Sequence, residues 1–167
     1  MPTGLHQSMN KAVLVCHCLL DPLTRAQGTS PISRDIIKVF LDENISLIQL
    51  PCPELIFGFA RSPCNKEDYD TPEYREHCRH LAQDLKDLIE GYTRTHYTIC
   101  GLISIGGSPS CGCQRTHVHG EHVHEPGIFI EELQAVLRGQ HMDLNIVDHE
   151  LLTGKEAIHA FLKKYEG

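Results

Sequence analysis

Eight cysteines in a chain of 167 residues are the groups with the most chemistry to offer. In a small secreted protein they would pair as disulfides, whereas in a reduced compartment they serve as core thiols, metal ligands or nucleophiles. Cys18, Cys52 and Cys111 stand apart, because each borders a proline- or glycine-containing segment: Leu19-Leu20-Asp21-Pro22, Pro51 with Pro53, and Pro109 with Gly112. Thiolates are soft ligands that select zinc, copper(I) or iron–sulfur clusters. Three of them on a four-iron cluster would leave one iron open. Cys16 and Cys100 lie inside apolar runs and Cys78 on an amphipathic stretch beside His77 and His80, so these three read as small core residues. Cys64 reads as a redox-sensitive loop thiol, and Cys113, two residues beyond Cys111, as a spare or alternative ligand.

A second group is the run from His117 to His124, in which His117, His119, Glu121, His122 and His124 fall within eight residues. Neutral imidazole suits zinc and nickel, so a metal site is one expectation and a polar wall beside an active site the other. The zinc-protease pattern is absent, and Gly120 favours an irregular loop.

The elements that must position these groups alternate between strand and helix. Lys11 to Cys18 is a short apolar, β-branched run that suits a strand buried on both faces. Ser33 caps a helix carrying Ile36, Ile37, Phe40 and Leu41 on one face, with Asn44 at its stop. Ile45 to Leu50 reads as a second strand halted by Pro51 and Pro53. A polar loop over residues 58–70 then leads to Thr71-Pro72-Glu73, a helix start with an N-cap, a first-position proline and an acid in the first turn. Leu81, Leu85, Leu88, Ile89 and Tyr92 continue its apolar face. Thr98 to Ile105 is a third strand, Ile128 to Leu137 a helix, Asp143 to Val147 a fourth strand, and Thr153 to Tyr165 a last helix.

This order predicts the α/β class: a single-domain, three-layer α/β/α sandwich around a mostly parallel sheet, Rossmann- or flavodoxin-like, with right-handed crossovers. Ligands of such sheets bind outside the carboxyl ends of the strands, where the strand order reverses. Cys18, Cys52 and Cys111 each follow one of the first three strands, so three distant positions are expected to converge there.

The net charge of −7 argues against a nucleic-acid partner, which needs Lys and Arg to neutralise phosphates. The first ten residues lack a secretory signal, and no run of about 18 apolar residues spans a bilayer. A cytoplasmic protein with no membrane partner, acting on a small molecule, is the expectation. With 41% hydrophobic residues, the chain can bury one substantial core but is too short for two ordinary domains.

The segments His17-Cys18-Leu19-Leu20-Asp21, Pro51-Cys52-Pro53-Glu54 and Gly107-Ser108-Pro109-Ser110-Cys111-Gly112 resemble, in order and spacing, the three signatures of the 2-thiouracil desulfurase family. The resemblance covers most of the chain and implies one desulfurase-like domain over residues 1–167, with residues 1–10 as a flexible N-terminus. It implies a 4Fe-4S cluster held by Cys18, Cys52 and Cys111, whose open iron takes the sulfur of a thionated, nucleobase-like substrate. The family's catalytic acid falls on Glu54 and its catalytic serine on Ser108, with Ser110 the less favoured assignment. An open iron would act as a Lewis acid on a soft thiocarbonyl sulfur, with Glu54 activating water if burial raises its proton affinity.

The bland readings are that Glu54 is a helix N-terminal acid and that Ser108-Pro109 is a turn. A cysteine-persulfide sulfurtransferase and a non-enzymatic metal-binding module are the alternatives to a desulfurase. The chain departs from the family pattern over Leu19 to Gly28 and over Leu55 to Arg61, the loops that should line the pocket. Arg25 and Arg61 are candidate substrate contacts there.

Overall fold

The computed structural model describes residues 10–59 and 63–163. The run Lys11–Val15 forms β1, whose last four residues are buried. It is flanked by β2 (Ser46–Gln49) and β3 (Thr98–Ser104), and β3 also pairs with β6 (Ile146–Asp148). The order is β2-β1-β3-β6 with every pairing parallel, which is the start of the doubly wound order 2-1-3-4-5. Two interior strands buried on both faces need apolar sequence throughout, which is why β1 and β3 carry no alternation. The register slips once: Ala12 faces Ile99 while Leu14 faces Leu102, so β3 bulges around Cys100 and Gly101. A side chain on Gly101 would strike the Asn145 carbonyl at 2.5 Å and the Phe161 ring at 2.7 Å.

Helix α1 (His17–Leu20) follows β1, and α2 (Asp35–Asp42) leads to β2. Next come α3 (Pro53–Phe57), α4 (Lys66–Tyr69) and the long α5 (Pro72–Arg94). After β3 the chain makes a hairpin of β4 (Thr116–Val118) and β5 (Glu121–Val123), then α6 (Ile128–Gly139), β6 and α7 (Lys155–Lys163). Helices α2 and α7 pack together, with Phe40 edge-on to Phe161 at 6.3 Å, and α5 packs on α6. The chain moves one way from β1 to β2 and the other way to β3 and β6. Right-handed crossovers therefore put the two helix pairs on opposite faces, giving the three layers.

Thr71 caps α5 as expected, its hydroxyl accepting from the Tyr74 N–H at 3.1 Å. Its buried face is Tyr74, Cys78, Ala82, Leu85 and Ile89, whereas Leu88 turns outward. Five expectations need correction, the first being the cap of α2, whose N-cap residue is Arg34 rather than Ser33, with no side-chain cap hydrogen bond. The first strand ends at Val15 rather than Cys18, because the Leu19 N–H turns back onto the Cys16 carbonyl at 3.1 Å and starts α1. The loop expected over residues 58–70 contains α4, closed by a capping box between Asn65 and Asp68. The fourth strand is shifted to Ile146–Asp148, and the irregular loop around Gly120 is a β-hairpin. His119 and Gly120 form its two-residue turn with φ of 50° and 82°, the left-handed pair a type I′ turn requires. Residues 1–9, Arg61 and Tyr165 lie outside the described residues. Among the described residues, no helix is long and apolar enough to cross a membrane.

Candidate active site

The strand order reverses between β1 and β3, and a cavity of about 740 Å³ opens at the carboxyl ends there. Cys18, Cys52, Cys111, Glu54 and Ser108 all line it. Cys18 sits in α1, and Cys52 is the N-cap residue of α3, with Pro53 at the first helical position and Glu54 in the first turn. Cys111 lies in the loop after β3. Glu54 is therefore both a helix N-terminal acid and a cavity residue, only 9% exposed.

Each cysteine-bearing segment is held by contacts distant in sequence. His17 donates from Nδ1 to the Leu50 carbonyl at 3.1 Å, and Gln49 donates to the His17 carbonyl at 2.9 Å, joining the first segment to the second. His77 of α5 donates to the Pro53 carbonyl at 3.0 Å. In the third segment the Ser108 hydroxyl oxygen accepts from the Cys111 N–H at 3.0 Å and the Ser110 N–H at 3.3 Å. Gly112 is required by close approach: a Cβ there would lie 2.2 Å from the Arg115 carbonyl oxygen and 2.9 Å from that of Ser108. The loop docks on α6 through Gly127 N–H to Gly112 O at 2.8 Å and Ile128 N–H to Pro109 O at 2.9 Å.

These contacts separate the two serines. Ser110 is fully buried with its hydroxyl 2.6 Å from the Tyr74 phenol oxygen, whereas Ser108 faces the cavity.

Burial pushes the Cys18 thiol up to about 12, reinforced by Cys111 and Cys52 and opposed by Arg25, which also hydrogen-bonds it. The Cys111 thiol is pushed up by its hydrogen bond to Cys16, then by burial and by Glu54, with a Ser108 hydrogen bond opposing. Buried thiols held protonated in this way lose their protons to solvent when they coordinate a metal centre, whose positive charge makes the thiolate the stable form. Among the described residues no three His, Cys, Asp or Glu converge tightly enough to hold one metal ion. Cys18, Cys52 and Cys111 lining one cavity offer three soft donors, and a four-iron cluster takes one thiolate per iron. The donor set fits a cluster.

Two further cysteines join the cavity. Cys16, expected as core, is indeed only 2% exposed, yet it lines the cavity and bonds the Cys111 thiol. The signal for it was its position two residues before Cys18 at a strand end. Cys64 lines the cavity on the segment leading into α4. Cys113 instead bonds the Ser104 side chain and packs against the core, outside the lining. Cys78 and Cys100 are fully buried core residues as expected.

The histidine run forms a wall of this cavity. His117 and His122 face each other across the hairpin with ring centroids 3.9 Å apart, and both line the cavity. His117, then burial, then Arg115 hold the His122 imidazole below its usual proton affinity. His119 turns away to pair with Glu67 at 3.0 Å. Arg25 lines the cavity and donates to the Ser30 carbonyl at 2.8 Å, while Arg115 pairs with Glu150.

Asp148, which drew no attention in the sequence, anchors the rim. Its carboxylate accepts the Gly106 N–H at 3.0 Å and the Glu150 N–H at 3.2 Å and lies 3.1 Å from His149. Burial pushes its carboxyl up, but the His149 and Glu150 hydrogen bonds outweigh that and hold it below the usual range.

No known family's sequence profile matches the chain. It is 36% identical over 100 residues to the uncharacterised protein MJ0003 of Methanocaldococcus jannaschii, a match covering 59% of this chain and 62% of that protein. The chain thus spans less than two thirds of that relative's length. Its fold is shared with the solved structure of a 4Fe-4S-dependent thiouracil desulfidase, TudS. That match has a TM-score of 0.58 at 20% identity and covers 90% of this chain and 97% of the other.

Proposed function

We propose that this chain is an iron–sulfur-dependent desulfidase, acting as one domain to remove sulfur from a small thiocarbonyl compound. The observation that carries the reading is the meeting of Cys18, Cys52 and Cys111 with Glu54 and Ser108 on one cavity at the switch point of the sheet. The fold shared with a thiouracil desulfidase supports it. Cys18, Cys52 and Cys111 would hold a 4Fe-4S cluster. Bound there, it supplies an iron with an open position, a Lewis acid suited to a soft sulfur donor.

The chain's own groups handle the proton and the water. Glu54 takes a proton from the water molecule whose oxygen adds to the thiocarbonyl carbon. Ser108 uses its lone pairs to shape the Cys111 turn, and its single hydroxyl hydrogen, which bonds the Cys111 sulfur, turns to substrate when the cavity is filled. His122 and Arg25 give the cavity donors for the polar edge of a nucleobase-like ring, and His117, whose Nδ1–H is held by the Gly107 carbonyl at 3.0 Å, gives an acceptor. The sum is thiocarbonyl plus water giving carbonyl plus hydrogen sulfide, with no net electron transfer. A cluster with an open iron needs a reducing compartment, so the proposed location is the cytoplasm.

A cysteine-persulfide carrier needs a thiolate at neutral pH. The upward-shifted Cys18 and Cys111 are poor carriers of that kind in the metal-free protein.

The test is anaerobic reconstitution followed by iron and sulfide analysis, a visible spectrum and sulfide release from thionated pyrimidines. About four irons per chain, lost in Cys18→Ala, Cys52→Ala and Cys111→Ala, with turnover lowered roughly 100- to 10,000-fold in Glu54→Gln, is the expected result. Tightly bound zinc without acid-labile sulfide would sink the proposal.

A further inference from the structure

We propose that Tyr69 is the positioning residue for Glu54 and that the short helix α4 serves to deliver it. This rests on the reading of Glu54 as the base.

Glu54 sits in the first turn of a five-residue helix, and the carboxylate of a glutamate has three rotatable bonds to settle. A base left to wander loses much of the advantage of being nearby. Tyr69 is 3% exposed, and its phenol hydrogen-bonds the side chains of both Glu54 and Cys64. All three line the cavity. A phenol has one hydrogen to donate, and a carboxylate can only accept. The O–H of Tyr69 is therefore the donor to Glu54, with the Cys64 sulfur the other group within its reach. Burial, followed by the Glu54 charge, pushes the phenol well above its ordinary range, so it remains a donor at any working pH.

The ring itself has little freedom. It stands edge-on to Phe59 at 4.5 Å and lies 5.8 Å from Tyr74. The helix that carries it is fixed far beyond what four residues achieve alone. Lys66, 6% exposed, reaches Glu125 at 3.0 Å, the Pro126 carbonyl at 2.8 Å and Glu131 at 2.5 Å. Asn65 and Asp68 close the capping box, Asn65 also accepts the Gly120 N–H at 3.0 Å, and Glu67 accepts the His119 N–H at 2.7 Å. A four-residue helix tied to the hairpin and to α6 holds its last residue, Tyr69, in one place.

The experiment is a double-mutant cycle on reconstituted enzyme with 2-thiouracil, using Tyr69→Phe, Glu54→Gln and the pair. Tyr69→Phe should lower kcat roughly 10- to 100-fold, the scale of a misplaced base, with KM within about twofold and iron content unchanged. The double variant should be no slower than Glu54→Gln. In the apoprotein, urea midpoints of the same three variants should be non-additive, which reads the contact without any turnover. Wild-type kcat in Tyr69→Phe, rate losses that multiply, or midpoints that add would each overturn the proposal. A stability loss with unchanged kcat would also overturn it, since Tyr69 would then be structural only. A fully active Glu54→Gln would overturn the functional reading and this proposal with it. An inactive Glu54→Gln beside a fully active Tyr69→Phe would overturn the proposal alone.

Discussion

Replacing Tyr74 by Phe removes one oxygen atom and keeps the ring that packs edge-on to Phe57 at 5.2 Å and Phe59 at 4.9 Å. The lost atom is the partner of Ser110, and both residues are 0% exposed, so no water can replace the 2.6 Å bond. A buried hydroxyl left without its partner costs about 1–3 kcal/mol. With a urea dependence near 2 kcal/mol per M, the midpoint of the apoprotein should fall by about 1 M. Removing both partners in Tyr74→Phe/Ser110→Ala leaves no orphaned hydroxyl at this bond, so the double variant should be no less stable than Tyr74→Phe. Because Ser110 precedes Cys111, the single variant should also lose its reconstituted cluster to a chelator faster than wild type. Urea unfolding by circular dichroism and chelator kinetics read the two effects. Stability losses that simply add would refute the claim that this bond braces the third cysteine segment.

Gly112→Ala would drive a Cβ into two backbone carbonyls, neither of which can rotate away, so it should cost about 1–3 kcal/mol and reduce reconstituted iron; full iron content at wild-type stability would contradict the packing described. Asp148→Asn should cost about 1–3 kcal/mol above pH 4, because a charged acceptor of two backbone N–H groups is neutralised. Its carboxyl is held below the ordinary 3.8, so its contribution is complete above that pH and is lost as pH falls through the lower folded value. Wild type should therefore lose its advantage over Asp148→Asn only in strongly acidic solution, and a gap that closes near neutrality would be inconsistent. In the metal-free protein at pH 8, a Cys18 thiol held near 12 is ionised in only about one molecule in 10,000. Iodoacetamide followed by mass spectrometry should find it among the slow cysteines; rapid labelling of Cys18 would refute the burial argument.

Local pattern was enough to place the elements. Continuous apolar runs marked β1 and β3, and Thr71-Pro72 marked the start of α5, because caps and periodicity act within a few residues of chain. From strand ends and the switch-point rule Cys18, Cys52 and Cys111 are expected to converge, and all three line one cavity. What needed the tertiary structure depends on partners far apart in sequence. Ser108 is separated from Ser110 by a phenol 36 residues away on α5, and α4 is held by a lysine whose partners lie about 60 residues further on. Cys16 carries the same apolar signature as Cys100, yet one reaches the cavity and the other does not. That difference arises because one lies where α1 turns off the end of β1 and the other inside the bulge of β3. Sequence determines which residues lie at strand ends, since backbone preference is local. Which of them face one another is decided by packing and by buried polar groups that must each find a partner.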